Sequence, residues 1–330
     1  MEINPQIIMI TGWNEWYAGV ATKAPLTQTT GHTKTPGYYL VDQFNPEFSR
    51  DAEPMKIRSG VGFGDNYYYQ MVNYIKQYKG ANEMPVALGQ KSISLSSNTD
   101  IWSNVGPEYR DTLFDTTYRR HLSFGGKYQY INNTGRNDMD FAKVSQDDDY
   151  LYFLITTSND IVTVDESNWM NLFIDANMDN STGWEGYDYM LNRSRDGSTV
   201  SVEKFVDNSW KFEKIADAEY TLGTKSMTIK VPKNSLGLPK GLSSFDFKWA
   251  DNSTITGDVM QFMDLGDSAP NDRFNYRYLG TAPKKSNNFF SSIFKPKEWT
   301  DAHIISLTVL FCAIISTVVV IKVSPKKKNK

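Results

Sequence analysis

Asp175, Asn177, Asp179 and Ser181 place oxygen-bearing side chains at alternate positions in a polar stretch, and Asp188 adds a carboxylate at its far end. A Ca²⁺ ion takes about six to eight oxygen ligands from a flexible loop, so this donor set suits that ion in a structural role. Asp and Asn also favour turns without any metal, and an Asx-rich turn explains the same residues. Near the N-terminus, Trp13-Asn14-Glu15-Trp16 follows the apolar run Ile7 to Gly12, and Asp51-Ala52-Glu53-Pro54 lies downstream. Glu15, Asp51 and Glu53 are the carboxylates of this region that could act in acid–base chemistry. A sugar-binding floor, or plain packing at a strand end, explains Glu15 and its two tryptophans equally.

Sugars stack on exposed aromatic rings and are oriented by amide and guanidinium groups. Trp13, Asn14 and Trp16 form one such set. Trp184, beside two glycines in a polar loop, and Arg193, in Asn192-Arg193-Ser194-Arg195, form a second. Trp249, inside an alternating apolar stretch, reads as core. Packing explains Trp184, and turn or cap roles explain Arg193, just as well.

These residues need elements to position them. Trp169 to Ile174 is a short apolar run, Tyr187 to Asn192 alternates apolar and polar residues, and the acidic stretch between them reads as the loop of a strand, loop, strand unit. Further strands are expected at Phe141 to Val144, Tyr150 to Thr157, Thr199 to Val206, Trp210 to Ile215, Ala218 to Leu222, Ser226 to Val231, Phe245 to Ala250 and Met260 to Leu265. Many short strands with turn signals between them describe an antiparallel β-sandwich over residues 105–280, preceded by a joining segment, 83–104. Upstream, Ile7 to Gly12 reads as a buried strand. Asp65 to Gly80 reads as a helix with Asp at its start and Gly past its last Lys, one face carrying Tyr68, Met71, Val72, Ile75 and Tyr78. One strand and one helix cannot bury a core, so residues 1–82 read as the last βα unit of an incomplete (β/α)₈ barrel. A strand's C-terminal end is where such barrels keep their catalytic groups.

The 18 residues from Ile304 to Ile321 contain no charge, Pro or Gly, long enough as a helix to cross a hydrocarbon core of about 30 Å. A transmembrane helix is expected over 303–323, after a linker at 281–302 and before a basic tail at 324–330. The lipid bilayer is thus an expected partner, and the lysines that follow put the C-terminus in the cytoplasm and the ectodomain outside the cell. The first residues carry no signal peptide, so the chain reads as the C-terminal part of a longer precursor or as one with a wrongly assigned start, the rival being a tail-anchored protein with a cytosolic body. Removing the +5 of Lys322, Lys326, Lys327, Lys328 and Lys330 from the net charge of −3 leaves −8 for the rest, which argues against nucleic acid as a partner. The single cysteine, Cys312, falls in the apolar span, which leaves the remainder without disulfides.

Gly12-Trp13-Asn14-Glu15-Trp16 with Glu53-Pro54 resembles the barrel end of the family 99 glycoside hydrolases and related polysaccharide-biosynthesis barrels. The resemblance implies action on a mannoside through two glutamates; Glu15 matches the first, and Ala18 stands where the second belongs, so hydrolysis, which takes a proton donor and a base or nucleophile on opposite sides of the scissile bond, would need Glu53, or Asp51, in that second role. Asp148-Asp149-Tyr150-Leu151-Tyr152-Phe153, the strand Leu172 to Asp175, Gly183 to Tyr189, Val231 to Leu238 and Phe247 to Asn252 resemble the family nine carbohydrate-binding modules, a β-sandwich related to DOMON domains. This second resemblance implies binding of a polysaccharide or glycan. Together they predict a membrane-anchored, extracellular, carbohydrate-active protein. The alternative is a non-catalytic surface module that binds a glycan or a protein.

Overall fold

In the computed structural model the described residues are 66–282 apart from 81, 117, 123–128, 134 and 260, together with Ile7 and two short strands. Those strands, β1 (Val20–Ala21) and β2 (Tyr39–Leu40), pair antiparallel. The expectations for Trp13, Asn14, Glu15, Trp16 and Glu53, for the membrane-spanning segment and for the basic tail lie outside the described residues. No helix among the described residues is long and apolar enough to cross a membrane.

Helix α1 (Asn66–Lys79) forms where the sequence predicts it, with Lys76 and Lys79 in its last turn and Gly80 beyond it at φ +80°. A glycine in that conformation ends a helix without the steric cost a Cβ would bring. After it the chain is nearly all strand: β3 (Glu108–Arg110), β4 (Arg119–Leu122), β5 (Gln129–Asn132), β6 (Met139–Gln146), β7 (Tyr150–Thr157), β8 (Asn171–Asp175), β9 (Tyr189–Asp196), β10 (Thr199–Phe205), β11 (Phe212–Leu222), β12 (Ser226–Pro232), β13 (Phe245–Asp251), β14 (Asp267–Ala269) and β15 (Tyr276–Tyr278). One turn of helix, α2 (Gln261–Asp264), precedes β14.

Eleven of these strands form one antiparallel sheet in the order β14-β13-β8-β9-β10-β11-β12-β7-β6-β3, with β15 pairing the other half of β13. The sheet curls until its ends meet. Met139 at the start of β6 donates its N–H to Asp267 Oδ2 of β14 at 2.6 Å, and the Tyr109 hydroxyl of β3 donates to the Arg277 carbonyl of β15 at 3.1 Å. The result is a mainly β, nearly closed barrel. Phe153 of β7 packs across it on Phe245 and Phe247 of β13, and Tyr109 stands edge-on to Phe247.

Continuous apolar runs mark strands covered on both faces. In β7, Leu151, Phe153 and Ile155 point into the barrel, while Tyr152 and Leu154 pack outward on Ile93, Trp102 and Val105. The joining segment thus serves as a cover: Lys91 N–H donates to the Gln146 carbonyl at 2.8 Å, yet no strand forms there.

Two expectations need correction. Within the strand expected over Met260 to Leu265, Gln261–Asp264 is a helical turn, because Val259 and Phe262, three residues apart, both enter the same aromatic cluster. A spacing of three suits a helix, whereas a strand would present alternate residues. The two strands expected at 210–215 and 218–222 are one strand, β11; the register shift between Val202 and Glu203 of β10 absorbs the irregularity.

Candidate functional site

The loop between β8 and β9 is built from the base upward. Asp188 N–H donates to the Ile174 carbonyl at 2.9 Å, continuing the ladder. Its carboxylate staples the loop, accepting from Ala176 N–H at 3.0 Å and from the Thr182 hydroxyl at 3.1 Å. Above this, Asn177 Oδ1 accepts the Asp179 N–H at 2.7 Å, and Asp179 Oδ1 accepts the Ser181 N–H at 2.9 Å and its hydroxyl at 2.6 Å. These are Asx turns, as the composition predicts. At the tip, Trp184 and Tyr187 exchange two backbone hydrogen bonds of 2.9 Å, with Glu185 at φ 53° and Gly186 at φ 98° between them. Positive φ at both central residues defines a type I′ turn, which suits the twist of the flanking strands. Gly183, at φ 62°, has no room for a side chain, since a Cβ there would lie 1.8 Å from the Tyr187 carbonyl oxygen.

At the head of the loop Asp175 is 0% exposed. Its Oδ1 accepts the Asp179 N–H at 3.3 Å, and its Oδ2 has no hydrogen-bond partner. Burial above all, with Asp188 and Asp246 nearby, pushes its carboxyl up to about 6. An oxygen that has lost water and gained no donor is what a cation relieves. The donors fit a hard cation in kind, being carboxylate, amide and hydroxyl oxygens. The carboxylates of Asp175, Asp179 and Asp188 do not converge within 4.8 Å of one another. Among the described residues the acidic group that does so is Asp115, Asp138 and Asp267, far apart in sequence.

Beside this loop lies a cleft of about 200 Å³ whose walls include Asn180, Glu185, Tyr187, Arg273, Phe274 and Asn275. Loop and facing wall are joined by the Tyr187 hydroxyl, which donates to Asn275 Oδ1 at 2.5 Å. Tyr69 of α1 also borders the cleft, and its neighbour Tyr68 packs on Phe274 with ring centroids 5.2 Å apart. One carboxylate, one guanidinium, two amides and several rings make a surface suited to a polar ligand with an apolar face.

The exposure expected of Trp184 is not found. Trp184 is 4% exposed and belongs to a cluster with Phe173, Tyr187, Phe205 and Phe262; its ring lies 4.4 Å from that of Trp210, and Nε1 donates to the Gly257 carbonyl at 3.2 Å. The I′ turn points the indole inward, so it is packing behind the cleft rather than a stacking platform. Arg193 is 40% exposed, lies 4.3 Å over the Phe212 ring and 3.8 Å from Glu203, and is not part of the cleft wall. Trp249 is buried, as expected. Arg273, Phe274 and Asn275 escape a sequence reading because they sit in a plain turn between two three-residue strands; Tyr187, read only as a strand residue, is brought to the cleft by the tip turn.

Compared with protein-family models and with curated proteins, the chain matches none.

Proposed function

We propose that the β domain is a glycan-binding module, with the cleft between the 175–188 loop and the 273–275 turn as its site. The observation that carries this reading is the cleft's composition: Arg273, Glu185, Asn180 and Asn275 supply hydrogen-bonding groups beside the rings of Tyr69 and Phe274. Sugars are recognised by that combination, with rings taking the apolar face and planar polar groups the hydroxyls. Among the described residues that line the cleft Glu185 is the only carboxylate, and hydrolysis needs two, which supports a reading of binding at this cleft.

Asp175, Asn177, Asp179, Ser181 and Asp188 would hold a structural Ca²⁺ only once the loop draws in carboxylates that stand further apart in this structure. The ion would neutralise the buried Asp175 carboxylate and stiffen the loop that carries Asn180, Glu185 and Tyr187. The wider reading, from the resemblances and the C-terminal apolar run, is a membrane-anchored extracellular carbohydrate-active protein. In it Glu15 and Glu53 belong to the barrel part, and the module holds polysaccharide near the cell surface.

The test is binding of the chain to a broad glycan array, with Ca²⁺ and with EDTA, alongside Arg273→Ala. Binding that falls in both comparisons supports the reading. Silence across the array, from protein shown by circular dichroism to be folded, refutes it in favour of a protein-binding or spacer domain.

A further inference from the structure

Carboxylates gather where the two ends of the sheet meet. Asp115, Asp138 and Asp267 bring oxygens within 4.8 Å of one another, and each ties a different segment. Asp267 Oδ2 accepts the Met139 N–H at 2.6 Å. Asp138 accepts the Phe114 N–H at 2.8 Å and the Ser158 hydroxyl at 2.5 Å. Asp115 Oδ2 accepts from Asn271 Nδ2 at 2.6 Å. Asp111 and Asp272 add further negative charge to the group. From β13 the fully buried Lys248 faces them, donating to the Pro270 carbonyl and lying 5.0 Å from the Phe262 ring. From β15 comes Tyr276, whose hydroxyl donates to the Arg110 carbonyl at 2.8 Å.

One ammonium cannot neutralise this many carboxylates, and like charges this close and this dry do not all ionise. Burial above all, with Asp111, Asp115 and Asp138 beside it, pushes Asp267 up to about 8. Burial, then Asp115, pushes Asp111 up to about 7. Burial pushes Lys248 down to about 7, against the pull of Asp272, Asp111 and Asp267. The chain that leaves this cluster at Asn271 and Asp272 continues directly into Arg273, Phe274 and Asn275, the cleft wall.

We propose that this seam is a protonation latch: a proton held on Asp267, beside the Asp115 and Asp138 carboxylates, keeps loop 111–116 against segment 267–272, and its loss loosens both the seam and the cleft wall beyond it. The latch stands on the fold alone and does not depend on what the cleft binds. Groups with raised folded-state values bind more protons folded than unfolded. Their contribution is therefore complete below an ordinary carboxylate value of about 4 and is lost as pH climbs toward about 7 or 8. Lys248, shifted down, works the other way above about 7, so the net fall belongs to the window from about pH 4 to about pH 7.

The test is the thermal midpoint of the full chain between about pH 5 and about pH 7, in EDTA throughout, for wild type and Asp267→Asn. The Asn variant keeps a carbonyl oxygen for the Met139 N–H and loses the titration. Expected is a fall of about 5 °C in wild type across that window and a flatter profile in the variant. If Asp267→Asn does not fold, Asp115→Asn serves the same comparison. Amide exchange corrected for intrinsic pH dependence is expected to rise in 111–116 and 267–275 while β12 stays protected. Parallel pH profiles for wild type and variant overturn the latch, as does unchanged exchange in those segments. A wild-type midpoint that Mg²⁺ or Mn²⁺ restores at about pH 7 overturns it in favour of a cation site.

Discussion

Asp175 on β8 and Asp246 on β13 stand directly opposite each other in the antiparallel register, yet their surroundings differ. Arg277, opposite Asp246 on β15, grips it with two hydrogen bonds of 2.8 and 2.7 Å. Asp175 Oδ2 has no such partner. Like charges facing across a ladder repel, and here one of the two is fully buried. The first prediction follows from that imbalance. Calcium is expected to raise the thermal midpoint of wild type, and Asp175→Asn to lose that response while melting at or above chelated wild type. A calorimetric titration in CaCl₂ and in EDTA measures both. Equal midpoints for wild type in the two buffers would sink the calcium assignment.

The loop tip depends on a missing side chain. Gly183→Ala places a methyl 1.8 Å from the Tyr187 carbonyl oxygen, in backbone rather than in a yielding side chain. It must break the Trp184 and Tyr187 pairing. The expected loss is roughly 3 kcal/mol in urea unfolding, more than backbone strain alone explains. Gly197→Ala is the control: φ is also positive, at +56°, but nothing lies within 4 Å of the added Cβ. It is expected to cost only about 1 kcal/mol. Similar losses at both sites would mean that the tip has room to relax.

How much of this was legible in the sequence depends on how local the signal is. β7 declares itself by a nearly continuous apolar run buried on both faces, and β13 by the alternation of Phe245, Phe247 and Trp249 with polar neighbours. The Asx turns after Asp175 were readable for the same reason, being set by residues two apart. Closure of the sheet was not. It rests on Asp267 reaching Met139, 128 residues away, and nothing in either neighbourhood announces the contact. The orientation of Trp184 was equally hidden: two glycines suggest an exposed loop, whereas the turn they permit folds the indole under.

Trp184→Ala separates packing from recognition. A fully packed indole removed from the cluster of Phe173, Phe205 and Trp210 leaves a cavity, and the expected loss is about 3 to 5 kcal/mol with a collapse of the near-ultraviolet dichroism. Trp184→Phe, which keeps most of the apolar volume, is expected to recover more than half of it. A variant that unfolds like wild type but loses ligand would restore Trp184 as a contact residue.

Asp251 is the last residue of β13 and is 0% exposed. Its Oδ2 takes the Arg136 Nε–H at 2.8 Å, and its Oδ1 takes the Met170 N–H at 3.0 Å, fixing Met170 at φ 44°. Arg136 extends this to Glu166 at 2.8 Å, so one guanidinium joins the chain before β6 to the approach to β8. Arg136→Met is expected to cost about 3 to 5 kcal/mol, because it leaves the fully buried Asp251 carboxylate uncompensated, and Asp251→Ala less, because Arg136 keeps its ion pair with Glu166. The double variant is expected to lose markedly less than the sum, since no lone charge then remains. A double-mutant cycle in urea measures this. Strict additivity would show that Arg136 and Asp251 act separately, and that Met170 is held in its left-handed conformation by packing rather than by the Asp251 carboxylate.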